Sequence, residues 1–159
     1  MLVFLHGLES GPHGSKYKAL KAAFGHVIAP DFERMLDVDI RLAQAEKATR
    51  GMTGLVLVGS SFGGLVAAVL THRYPHKVKG YLLMAPALHD KWPGTVAEIT
   101  TVPTFAHIIH GIQDDIVPLS ASQAFSAKFN VPIDIVDDGH RLQGSHDLMV
   151  KRVADLLAC

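Results

Sequence analysis

Leu55-Val56-Leu57-Val58-Gly59-Ser60-Ser61-Phe62-Gly63-Gly64-Leu65-Val66 is the stretch that decides the fold. Its first four residues are continuously apolar, so 55–58 reads as a strand covered on both faces, not as one with a wet side. Residues 62–74 carry helical period, and Pro75 stops them. The turn between the two must be sharp. It leaves its central residue in a strained backbone conformation with the side chain pointing out of the sheet. The residues two before and two after then crowd together, and glycine alone avoids the clash. Gly59 and Gly63 flank Ser61 symmetrically, which selects Ser61 over Ser60. A helix starting at Phe62 also aims its free N–H groups at this spot and favours negative charge there.

Outward from this turn, short apolar runs alternate with longer stretches of helical period. The pattern predicts strands at 2–5, 26–29, 55–58, 80–84, 104–109 and 133–136. Helices are predicted at 15–24, 38–50, 62–74, 120–129 and 145–157, the last with Ser145 as N-cap. Residues 85–103, with Pro86, Pro93 and Gly94, lack periodicity and read as a loop or a short irregular helix. Alternation of this kind means α/β: a three-layer sandwich, with a mostly parallel sheet of about six strands flanked by helices. The 159 residues suit one domain over 1–159.

Composition narrows the function. Lys plus Arg and Asp plus Glu are equal at 15 each, and no basic run interleaves with aromatics, so nucleic acid is not an expected partner. No apolar stretch approaches the roughly 18 residues that span a bilayer, and the apolar start, 2–5, lacks the pattern of a signal peptide. Cys159 has no partner cysteine, so the expected setting is the reducing cytoplasm. No glycine-rich phosphate loop follows a strand, and His107 and His110, three apart at a strand end, point to opposite faces. Neither a cofactor nor a metal is expected.

A serine hydroxyl becomes nucleophilic only when a base takes its proton, and that base needs an acid to hold one tautomer. Candidates lie just after later strands, at the carboxyl edge where Ser61 emerges. The acid is Asp114 or Asp115, after 104–109. The base is His140, directly after 133–136, with His146 as a rival inside the last helix. Ten histidines make any one of them weak evidence alone. His6 and His110 precede glycines and are expected to bond backbone; His13, His26, His72, His76, His89 and His107 read as surface or packing residues. Met84, ending a buried strand, reads as core, and Trp92 is a candidate wall of an acyl pocket.

Four segments together resemble the α/β-hydrolase superfamily, close to its short, lidless bacterial esterases: Leu5-His6-Gly7-Leu8, the turn around Ser61, His110-Gly111-x-x-Asp114-x-x-Val117-Pro118, and Gly139-His140-Arg141-Leu142. They occur in the family's order across nearly the whole chain. The resemblance implies a minimal α/β-hydrolase fold and cleavage of a small carboxylic ester or thioester. It selects Asp114 over Asp115 as the acid and makes the N–H groups of Leu8 and Phe62 the oxyanion hole, each worth about 3 kcal/mol. It leaves room for carbon–carbon bond hydrolysis, acyl transfer, or a non-catalytic binding relative. One departure is clear. Family members carry two more strands ahead of the one ending in His-Gly and a large cap insertion, which here is absent or reduced to 85–103. Beside the oxyanion residues, His13 and Lys16 read as exposed loop side chains able to attract a negatively charged substrate.

Overall fold

The computed structural model describes residues 1–89 and 91–159. Five strands form one parallel sheet: β1 (Leu2–Leu5), β2 (Leu55–Ser60), β3 (Val78–Met84), β4 (Phe105–Gly111) and β5 (Ile133–Val136), in the order β1-β2-β3-β4-β5. The helices are α1 (Ser15–Phe24), α2 (Val38–Ala48), α3 (Phe62–Arg73), α4 (Pro93–Glu98), α5 (Leu119–Phe129) and α6 (His146–Ala158).

Side chains alternate across a strand, and the sheet divides them between two cores. Val3, Leu5, Leu55, Leu57, Tyr81, Leu83 and Ile108 pack with residues of α2, α3 and α5. Leu2, Phe4, Val56, Val58, Leu82, Met84 and Ile109 pack with Leu20 of α1 and Met149, Val153 and Leu156 of α6. The apolar run 55–58 is continuous because it feeds both. Helix α3 is buried on every side from Phe62 to Thr71, which explains why its residues are apolar all round.

The sixth predicted strand, 26–29, is a correction. Only Ile28 pairs, in an isolated parallel bridge to Val3: its N–H donates to Leu2 O at 3.0 Å and its carbonyl accepts from Phe4 N at 2.8 Å. The segment is confined between Gly25, at φ 78°, and Pro30, which has no N–H to extend a ladder. Even this single bridge matters. From β1 the chain steps outward to Ile28, then returns past β1 to β2, so the direction of winding reverses there. Parallel sheets open a crevice at such a reversal, at the carboxyl ends of the strands. Leu5 faces Gly59 in register, which sets His6-Gly7 against Ser60-Ser61.

Two further expectations are refined. Around the short helix α4, the rest of 85–103 is irregular apart from Asp90, which lies outside the described residues. Ser145 stands at the N-cap position of α6 without capping it; its Oγ donates instead to Asp138 Oδ2 at 2.8 Å.

Candidate active site

Ser61 has φ 55° and ψ −117°, a region that costs an L-residue about 1–3 kcal/mol. The surroundings hold it there. Its N–H donates to Met84 O at 2.9 Å, and its carbonyl accepts from Gly64 N and Ala87 N, both at 2.9 Å. A Cβ at position 59 would lie 2.6 Å from Gly63 O, and one at position 63 would run into the Leu5 carbonyl. The two glycines are therefore a steric requirement of the turn.

Three of the predicted residues meet here. Ser61 Oγ and His140 Nε2 are 3.0 Å apart, and His140 Nδ1 lies 2.8 Å from Asp114 Oδ2. Against a carboxylate Nδ1 must donate, which leaves Nε2 to accept from the serine hydroxyl. Asp114's side chain is fully buried, while the imidazole of His140 remains 17% exposed, so the carboxylate is shielded and the ring is open to a ligand. Asp114 Oδ1 accepts from Ile116 N at 2.9 Å and Val117 N at 2.8 Å. Asp115 is exposed. His146, the rival base, is the first residue of α6, and its Nε2 is buried without a hydrogen-bond partner among the described residues.

His110, read from the sequence as a backbone-bonding loop residue, sits on β4 and does more. Its ring is buried, and its Nε2 lies 3.0 Å from both Val117 O and Asp114 Oδ2, so one N–H is shared between them. Ser122 Oγ donates to its Nδ1 at 2.7 Å. Burial pushes its pKa down, so it stays neutral and serves as a second histidine donor to the same carboxylate.

The loop carrying His140 is fixed on both flanks. Asp138 accepts from Gly139 N at 2.8 Å, Gly144 N at 2.9 Å and Ser145 Oγ. Burial works to raise its pKa, but these bonds and nearby Lys16 outweigh it and hold it below the ordinary value. Lys16 corrects an expectation: it lies on α1, half-buried, and its Nζ donates to Arg141 O at 2.6 Å. It braces the loop and is not offered to a ligand. His13 is exposed, its ring 4.6 Å from that of Tyr17.

Phe62 opens α3, so its N–H lies ahead of the intrahelical ladder, beside Ser61. Its ring packs 4.7 Å from Trp92. Met84 is buried core, as expected. Beside His140 opens a cleft of about 420 Å³, whose walls include Glu9, Asp115, Ile116 and Arg141. Among the described residues no three His, Cys, Asp or Glu side chains are grouped to hold a metal ion.

Comparison with known proteins fits this geometry. Residues 13–118 match the family model described as serine aminopeptidase, S33 (Hydrolase_4). A Xanthomonas campestris protein described as a hydrolase of the α/β superfamily superposes with a TM-score of 0.82 at 26% identity, over 99% of this chain and 96% of that one. Mouse alpha/beta hydrolase domain-containing protein 10 gives 0.76 at 16% identity, over 99% of this chain and 89% of that one. The meta-cleavage product hydrolase of Pseudomonas fluorescens gives 0.72 at 18%, over 99% and 90%. The last two share the fold alone. No curated protein sequence matches the chain. A matching family model over most of the chain and a sheet of this topology lead to one conclusion: the chain is an α/β-hydrolase belonging to the serine aminopeptidase S33 (Hydrolase_4) family.

Proposed function

We propose that the chain is a serine hydrolase that cleaves small carboxylic esters or thioesters through an acyl-enzyme. The observation that carries this reading is the continuous relay from Ser61 Oγ through His140 to the buried Asp114, with links of 3.0 and 2.8 Å. Ser61 attacks the substrate carbonyl while His140 Nε2 takes the hydroxyl proton, and Asp114 stabilises the imidazolium. The oxygen that gains charge faces the N–H groups of Leu8 and Phe62, which form the oxyanion hole. Collapse of the tetrahedral adduct expels the alcohol or thiol, which leaves with the proton from His140. Water then attacks the acyl-enzyme by the same route.

The cleft of about 420 Å³ beside His140 offers room for a small acyl or leaving group. The test is steady-state hydrolysis of p-nitrophenyl acetate. Ser61→Ala is expected to lower kcat by about a thousandfold or more at unchanged fold. Turnover retained in that variant rejects the mechanism.

A further inference from the structure

Arg41 on α2 is 1% exposed. Its Nε donates to Met35 O at 2.7 Å, Nη1 to His6 O at 2.6 Å and Nη2 to Gly7 O at 3.2 Å. The guanidinium lies between two rings, 4.9 Å from the Phe32 centroid and 4.8 Å from that of Phe62. No carboxylate pairs with it among the described residues. Burial pushes its pKa down to about 10, so it remains a cation at neutral pH. A buried charge without a counterion is costly, and a neutral donor could cap the same carbonyls. The charge calls for a reason.

The bonded carbonyls supply one. Gly7 C=O and Leu8 N–H belong to one planar trans peptide, so they point in opposite directions. Drawing the oxygen toward Arg41 turns the Leu8 N–H the other way. His6 adds a second anchor: its Nε2 accepts from Phe32 N at 2.8 Å, so its Nδ1 carries the proton and donates to Gly7 O at 2.8 Å. A charged donor on a carbonyl also strengthens the N–H of the same peptide. The second N–H of the proposed oxyanion hole belongs to Phe62, whose ring rests on the guanidinium.

We propose that Arg41 is a positioning residue for the oxyanion: it locks the Gly7–Leu8 peptide and supplies the buried positive charge that answers the negative oxygen formed when Ser61 attacks. This rests on Ser61 being the nucleophile. A neutral ester in the ground state gains little from that charge, so the effect falls on kcat and not on KM.

The experiment compares Arg41→Met and Arg41→Lys with wild type, each confirmed folded by circular dichroism. It reads kcat and KM for p-nitrophenyl acetate, and inhibition by a trifluoromethyl ketone, whose serine adduct carries an oxyanion. The expected result for Arg41→Met is a kcat lower by about a hundredfold, KM within about threefold, and ketone affinity lower by a factor comparable to that in kcat. Arg41→Lys keeps the charge but not the fork and is expected to fall between, about tenfold down in both. If Arg41→Met does not fold, the lysine variant decides. Folded variants that keep kcat and ketone affinity within about threefold of wild type overturn the proposal, as does a fall in kcat without a fall in ketone affinity. Wild-type protein without Ser61-dependent turnover instead overturns the reading of Ser61.

Discussion

Strain at one residue is compensated by missing atoms at two others. Ser61 holds its positive φ because nothing but hydrogen occupies the side-chain positions of Gly59 and Gly63. At 63 the obstacles are the main-chain oxygens of Leu5, the last residue of β1, and of His6 just after it, and Leu5 cannot move without shifting the sheet. Gly63→Ala is therefore expected to cost about 3 kcal/mol of stability in urea unfolding. Gly94→Ala, where no atom lies within 4 Å of an added Cβ, should stay within about 0.5 kcal/mol of wild type. Equal midpoints for the two variants would contradict this account of the turn. At the residue scale, spacing alone marked the turn, with two glycines around Ser61, whereas the choice of Asp114 over Asp115 came from the resemblance to the family. Arg41 was not legible. Its partners are main-chain carbonyls, which leave no mark in the sequence, and an arginine in a 3.6-period stretch reads as a solvated side chain. His110 bonds backbone at Val117 O as its sequence setting implied, but its contact with Asp114 was not legible, since that depends on how the loop after β4 folds back.

At the scale of elements, the loop between β5 and α6 sets where His140 points, and Lys16 on α1 ties it from outside. Burial lowers the Lys16 pKa from 10.5 to about 8. Between those values the unfolded chain holds a proton that the native protein has released, so this group makes stability rise with pH from about 8 to about 10.5. Below about 8 both states hold the proton, and it contributes no slope. Urea unfolding of Lys16→Met at pH 7.5 and 9.5 should therefore show a smaller rise, or a larger fall, than wild type, by up to roughly 2 kcal/mol. An unchanged difference between the two pH values would contradict this. Element boundaries followed the sequence closely where burial is two-sided, as in β2 and α3. They failed at 26–29, because pairing there depends on how much of a neighbour a short run between Gly25 and Pro30 can reach. Ser145 failed as a cap because it ends a tight turn over Gln143–Ser145 at φ −113° and ψ 15°, outside the extended conformation from which a cap side chain reaches the first-turn N–H groups.

For the whole molecule, five parallel strands and a reversal of winding between β1 and β2 bring residues 6–8, 61 and 140 to one edge. Two cores, one on each face, back the sheet that carries that edge. Among the described residues no helix is long and apolar enough to cross a membrane. The α/β architecture was readable because alternation of apolar runs with helical stretches is a property of the whole chain and survives errors at single boundaries. The central claim is that His140 and Asp114 activate Ser61. Its most direct test is labelling of the folded protein with a fluorophosphonate, followed by mass spectrometry of the adduct, in wild type and in His140→Gln. The account predicts one adduct, on Ser61, formed far more slowly in the variant. An adduct on Ser60, no adduct at all, or equal rates in the two proteins would contradict it.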